Sequence, residues 1–492
     1  MKLKSALSGL ALLAGISGPA FAAATPEEAQ RLTDVFQTYL GKEPGVVTVT
    51  PEGDSYRARF DAAPLFAKIR EPNVTLSLTP IEWLITPQGG GKWQVDQDQP
   101  LAFQMKAGDA AQGAEGAIEF RIQLGSYKGT GVFDEALSSF ASTSSELKQI
   151  AMDQQMSARG QESRTISTAD SISVTWALTG SADDAESTMN IGYQGLRQTF
   201  SGSDASGAPV PAMAFSQSSS DGKQTITSKG LKPKAIADLI AWFVQRPSGE
   251  AIAADQAELK GKLKAAMPLV RSMSSTQTMN ALAVNTVAGS FGLQQLGLDM
   301  EVTGFVSDGY FRQRFSFTGI SAPQELVQPW VADIIPQDFV LDFNVSKYDL
   351  AAAAALFIDK MDLAKDPPVS EAVESELIMA LLPGGVVQIG LGPSEILAKA
   401  FNLKAEGGMT AGPAVMPAGK ALLKLTGMDQ LMAALQAAPP EMEMQNLAPM
   451  LLLVRGLARQ EADGSLSWAI ESTPTGGVTV NGTDLTKMIG GQ

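Results

Sequence analysis

The sequence predicts an α+β protein: predominantly antiparallel, curved sheets with helices packed on one face, arranged as two lobes. Three observations carry that expectation. Short, often alternating apolar runs separated by Gly, Pro or Asp fill most of residues 46–133. A unit of strand, brief polar joint and apolar helix recurs further along the chain. Arg246-Pro247-Ser248-Gly249 interrupts the pattern near the middle and marks the joint between the lobes.

Taken in order, Met1-Lys2-Leu3-Lys4, an apolar run from Ala6 to Ile16, Gly18-Pro19 and the triplet Ala20-Phe21-Ala22 follow the order of an export signal. Cleavage is expected after Ala22, since the run is too short to span a bilayer, which takes about 20 apolar residues. Residues 1–22 are thus a signal peptide, 23–250 a β-rich N-terminal α+β lobe and 251–492 a C-terminal α+β lobe. Pro26 to Leu40 reads as a helix with Leu32, Val35, Phe36, Tyr39 and Leu40 on one side. Strands follow at Val46–Thr50, Tyr56–Phe60, Val74–Leu78, Trp93–Val95, Leu101–Met105, Ile118–Leu124 and Lys128–Phe133. Helix is expected from about Asp134 to Gln155, then strands near Ile172–Leu178, Met189–Tyr193, Leu196–Ser201 and Gln224–Ser228.

The recurrent unit runs from Ile226 through Pro233 to Val244, from Val340 through Ser346 to Ile358, and from Val386 through Pro393-Ser394 to Phe401. A looser copy runs from Leu422 to Leu435. In the first three, the last strand residue and first helix residue stand five apart, with Pro or Ser supplying helix-start chemistry. A helix from Ala251 to Ser274 opens the second lobe, strands cover 297–305 and 310–318, and a hairpin through Gly476-Gly477 closes the chain. Polar or Gly/Ala-rich stretches at 107–117, 201–223 and 406–419 are expected loops.

The net charge is -15, and removing Lys2 and Lys4 with the signal makes the chain more acidic still. Such a surface repels phosphate backbones, so no nucleic-acid partner is expected. No later segment approaches the length of a spanning helix, so no transmembrane segment is expected after cleavage.

Histidine and cysteine are both missing. Nucleophile systems that need an imidazole base are therefore closed, as are the usual zinc, haem and iron–sulfur ligands. Gly-Lys pairs at Gly41, Gly91, Gly222, Gly261 and Gly419 are never followed by the hydroxyl of a phosphate loop. Ser145-x-x-Lys148 and Ser220-x-x-Lys223 have the spacing of a serine nucleophile and lysine base but lack the companion motifs. Asp96 with Asp98, and Asp183-Asp184 with Glu186, lack the alternation of a calcium loop and read as surface turns. Met442, Met444 and Met450 read as packing or as the lining of an apolar surface. No catalytic, cofactor-binding or metal-binding residue is singled out, and no cofactor is expected.

The C-terminal end carries Gly456-Leu457-Ala458-Arg459, then Asp463-Gly464-Ser465-Leu466-Ser467-Trp468, then Gly477-Val478-Thr479-Val480-Asn481-Gly482. It resembles the ending of uncharacterised Gram-negative envelope proteins of the YdgA-like kind and of a related alphaproteobacterial domain of unknown function. That resemblance implies an envelope location and an elongated β-rich body; it brings no reaction and no catalytic residues.

The expectation for function is an exported, periplasmic, non-enzymatic binding protein for an apolar, lipid-like ligand. One alternative is a structural or assembly factor acting through protein contacts. The other is a carboxylate-based glycan hydrolase, whose signature is two acids facing each other about 5 to 10 Å apart in one cleft. Its partners would be a lipid or an envelope protein.

Overall fold

The computed structural model describes residues 23–68, 73–108, 116–158, 161–203, 208, 210, 214–246, 248–323, 325, 327–413, 415–439 and 448–485. The expected signal peptide, Pro247 of the expected joint, and Met442 and Met444 lie outside the described residues.

The first lengths of chain form α1 (Pro26–Leu40), β1 (Val47–Glu52), β2 (Ser55–Phe60), α2 (Ala63–Phe66), β3 (Val74–Leu78) and β4 (Ile81–Gly89). Six long strands follow: β5 (Lys92–Ala107), β6 (Ala117–Asp134), β7 (Ser139–Ala158), β8 (Gln161–Gly180), β9 (Ala185–Gly202) and β10 (Phe215–Leu231). Helices α3 (Pro233–Val244), α4 (Gly249–Ala254) and α5 (Gln256–Ala266) precede β11 (Ser272–Thr286), β12 (Gly289–Thr303) and β13 (Gly309–Thr318). Then come α6 (Pro329–Ile334), β14 (Pro336–Tyr348), α7 (Leu350–Lys360), α8 (Glu371–Leu381), β15 (Val387–Ala398), β16 (Asn402–Gly412) and β17 (Val415–Thr426). The chain ends with α9 (Met428–Gln436), α10 (Ala448–Gly456), β18 (Arg459–Gln460), β19 (Leu466–Ser472), β20 (Val478–Val480) and β21 (Thr483–Asp484).

All of these strands belong to one antiparallel sheet, in which almost every strand pairs with its neighbours in the chain. β5 is long enough to hold β4 at one end and β3 at the other, with β6 along its far side. The expected fold class is thus corrected. Strand makes up 56% and helix 23%, a sheet-dominated fold that does not close into a barrel, in place of sheets with helices packed over one face. β10 and β11 pair along most of their length, so hydrogen bonding runs unbroken past residues 232–271.

Several local expectations change, each for its own physical reason. The stretch expected as helix from Asp134 is mostly β7. Its apolar Leu147 and Ile150 are three apart because Gln149, with φ of 54°, breaks the alternation of the strand while its pairing stays in register. A break in alternation imitates helical spacing. The third strand-to-helix unit stays extended through Ala398, with Pro393 and Ser394 at a register shift. The helix expected to reach Ser274 ends at Ala266, because Pro268 has no amide hydrogen to continue it, and β11 begins at Ser272. The expected loop at 201–223 contains the first half of β10, and that at 406–419 contains most of β16 and the start of β17, all on paired strands.

Of the expected helix-start residues Pro233 opens α3, whereas Ser346 lies inside β14 and Pro393 and Ser394 inside β15, because those strands go on pairing past them. Thr25 accepts a hydrogen bond from the Glu28 amide ahead of Pro26, and Asp349 accepts one from the Ala352 amide at the head of α7. Packing is concentrated in three small clusters. α1 places Ala29 and Leu32 against Tyr56, Ala58 and Ile85 of β2 and β4. α9 and β17–β20 join through Leu425, Met428, Trp468 and Val480. α3, α5 and α7 pack mainly on one another through Leu239, Trp242, Leu259 and Ile358. α1 also touches α3, although a flat sheet would hold β1 and β10 roughly 40 Å apart. The sheet therefore bends towards the face that α1 covers.

Candidate functional site

In a strand, successive side chains point to opposite faces, and the ladder carries each face from one strand to the next. One face can be followed through direct partners: Leu101 opposite Leu124, Leu124 opposite Ile150, and Ile150 opposite Ala169. Further on it passes through Leu298, Phe315 and Leu341, then through Phe339, Ile396, Leu403, Leu425 and Leu466. Aromatic pairs confirm the assignment, since Phe103 meets Phe120 edge-on at 6.3 Å and Phe317 stacks on Phe339 at 4.8 Å.

From β4 to β20 no paired position on this apolar face carries Asp, Glu, Lys or Arg. The charges stand on the other face and pair across strands there. Lys106 lies 3.1 Å from Glu119, Lys128 3.0 Å from Asp98, Arg164 2.7 Å from Asp153 and Lys420 2.8 Å from Glu471. Helices touch the apolar face near its two ends, α1 at β1–β5 and α9 with α10 at β17–β20. Between those ends Met152, Met156, Phe215, Phe291, Phe315, Leu341, Phe343 and Met409 remain exposed. A depression of about 260 Å³ opens on this face, lined by Phe343, Ile389, Leu391, Met409, Ala421 and Ile470. Gly407 and Gly419 form part of its floor, and a Cβ on Gly407 would come within 2.6 Å of the Lys420 carbonyl oxygen. The depression exists because those positions have no side chain.

The charged face has a second concavity, about 590 Å³, along a line where the alternation of successive strands breaks. Gln149, Gly195, Ala281 and Gly319, on β7, β9, β11 and just beyond β13, all have φ between 48° and 64° and lie at matching heights. At this level each strand from β6 to β12 breaks its alternation by one residue while its pairing stays in register, which creases the sheet. Asp170 there bonds Arg197 at 3.1 Å, and Asp221 accepts from Asn280 at 2.7 Å and from Ser220 at 2.8 Å. Those two donors hold the Asp221 carboxyl below the usual range. A glycosidic proton donor needs the opposite shift.

The residues weighed in the sequence are scattered. Ser145 is on the apolar face of β7, bonded to the Tyr127 hydroxyl at 3.1 Å, while Lys148 is on the charged face beside Glu146. Ser220 bonds Asp221 at the crease. Asp96 accepts from Thr130 at 2.6 Å, Asp98 pairs with Lys128, and Asp184 pairs with Arg271 at 2.9 Å. Met450 is exposed on α10. Among the described residues no three carboxylates converge on a point that could hold a cation. No described helix is long and apolar enough to cross a membrane.

What sequence reading missed was the continuity of the apolar face. Its signal was present: in β5 the odd positions from Trp93 to Ala107 are uncharged, while Lys92, Asp96, Asp98 and Lys106 take even ones. The chain matches no described protein family, and no curated protein or solved structure shows significant similarity to it.

Proposed function

We propose that this protein is a non-enzymatic binding protein for an apolar, lipid-like ligand of the cell envelope, seated on the apolar face of its sheet. One observation carries the reading: a face without charge crosses the strands from β4 to β20, about 70 Å in the hydrogen-bonding direction, and keeps large side chains exposed in its middle. Apolar patches beyond a few hundred Å² are uncommon on soluble monomers and mark binding surfaces. Backbone amides and carbonyls on this face are spent in the ladder, so it offers apolar contact with few directional bonds. Acyl chains ask for that. The export-signal pattern at the N-terminus supports the envelope as the place of action.

The test is to purify the protein, record native mass spectra and titrate it with the fluorescent apolar probe N-phenyl-1-naphthylamine. Bound lipid mass and saturable uptake are expected. Replacing Phe343 and Leu341 by Asp should weaken uptake at least fivefold while the far-ultraviolet circular dichroism is unchanged. A protein that is empty, takes up no probe, and instead brings down the same protein partner repeatedly would replace this reading with that of an assembly factor.

A further inference from the structure

Helix α10 leaves most of its apolar surface bare. Met450, Leu452, Leu453 and Val454 are 57%, 55%, 57% and 38% exposed, and of its large side chains only Leu451 turns inward, onto the cluster around Leu425, Met428 and Trp468. At about 100° per residue those four positions sweep an arc of about 200°. A helix that docks in a protein groove or against another helix needs a stripe of about 100°. So wide an apolar arc fits a fluid surface that meets the helix from every outward direction.

Two other helices show the contrast. α1, over the opposite end of the apolar face, exposes Glu27, Arg31 and Asp34, and α8, which exposes Ile378 and Met379, also exposes Glu371, Glu374 and Glu376. From Ala448 to Gln460 there is no acidic residue, and the two arginines are already paired, Arg455 with Asp429 at 2.6 Å and Arg459 with Glu461 at 3.7 Å. Neither is spare for an anionic headgroup, and a net charge of -15 opposes one. α10 is also tied to the apolar face. The Trp468 indole donates to the Val454 carbonyl at 2.8 Å, and Asn481 donates to the Leu457 carbonyl at 2.9 Å. Apolar surface therefore continues from the helix onto the sheet through Leu451 and Leu457.

Resting on the apolar-ligand reading for its purpose, we infer that α10 docks the protein on the surface of a lipid bilayer. The contact is apolar insertion without selection of anionic lipid, and it lets an acyl chain pass between the bilayer and the β17–β20 end of the apolar face. A short helix lying flat sinks only its outward side chains, and its backbone bonds stay within the helix.

The experiment is flotation of residues 23–492, the chain expected after signal cleavage, with vesicles of phosphatidylcholine and with vesicles of equal parts phosphatidylcholine and phosphatidylglycerol. Binding to the first is expected, unchanged by high salt and no stronger on the second. Leu452→Asp together with Leu453→Asp should cut the floated fraction about fivefold. Far-ultraviolet circular dichroism and uptake of N-phenyl-1-naphthylamine without vesicles should stay as they were. No flotation with phosphatidylcholine, or flotation that the double variant leaves unchanged, overturns the inference. So does a dimer in sedimentation that the variant dissociates, since a second copy would then cover α10. Flotation that the variant abolishes, in a protein that takes up no probe, upholds the docking and overturns the apolar-ligand reading instead.

Discussion

Asp342 is the most deeply placed carboxylate among the ion pairs, with its side chain 5% exposed. Arg312 donates to both of its oxygens, at 2.9 and 2.7 Å, and the Asp342 amide donates to the Ser394 hydroxyl at 3.0 Å. The carboxylate beside it raises the Arg312 guanidinium above its ordinary range. Removing one partner of such a pair leaves the other buried without compensation. Arg312→Met, which leaves the buried Asp342 carboxylate unpaired, should therefore lower stability by about 3 kcal/mol in urea denaturation. Arg312→Met with Asp342→Leu should recover most of that loss, and a double variant as weak as the single one would show that the pair is not the cause. This bond was not legible in the sequence. Arg312 and Asp342 are 30 residues apart, and only the β13–β14 register, with Arg312 opposite Asn344 and Arg314 opposite Asp342, brings them within reach.

Among elements, the crease decides the most. Seven successive strands each break their alternation at the same level, and four residues along it take the left-handed region. For a residue with a Cβ that conformation is unfavourable by about 1 kcal/mol. Ala281, at φ 48°, should tolerate Gly, and Ala281→Gly should raise the urea midpoint by an amount equivalent to about 0.5–1 kcal/mol. Gly195→Ala should do the reverse by about 1–2 kcal/mol, because a Cβ there is strained at φ 63° and overlaps the Asp170 carboxylate. Equal and small effects at both positions would mean that the crease is not stored in these residues. The sequence disguised this element. A break in alternation shifts it by one residue, so Leu147 and Ile150 carry helical spacing while lying on one strand face.

The whole molecule is close to one-dimensional: each long strand pairs with its neighbours in the chain, and the three clusters of buried residues are small and separate. Stability in such an array is mostly a sum over neighbours. Leu32→Ala should thus expose β1–β5 to hydrogen exchange and leave β17–β20 protected, and Trp468→Ala should do the converse; uniform deprotection by either would argue for one cooperative core. The pH response belongs to this scale too. Asp61, Asp153 and Asp463 are held below the usual carboxylate range by hydrogen bonds, as are Glu52 and Glu119. Their contribution is complete above the ordinary carboxylate range and is lost as pH falls through it, since the unfolded chain then binds more protons. Tm should therefore drop from about pH 4.5 downward and stay flat between pH 5.5 and 8, where a chain without histidine has little to titrate. A sloping Tm in the neutral range would contradict this.

By itself the sequence determined the side-chain chemistry available to this protein, the starts of α1, α3 and α7 and most of its strand positions, because composition, helix-start residues and two-residue alternation act over a few residues. Thr25 ahead of Pro26, and Trp93, Val95, Leu101 and Phe103 at alternate places, needed no partner to be legible. Only the tertiary structure decided that the strands form one sheet and that the charges on its paired strands fall on one side of it. Those facts depend on register across strands far apart in the chain, and a single bulge reverses the face of every residue beyond it.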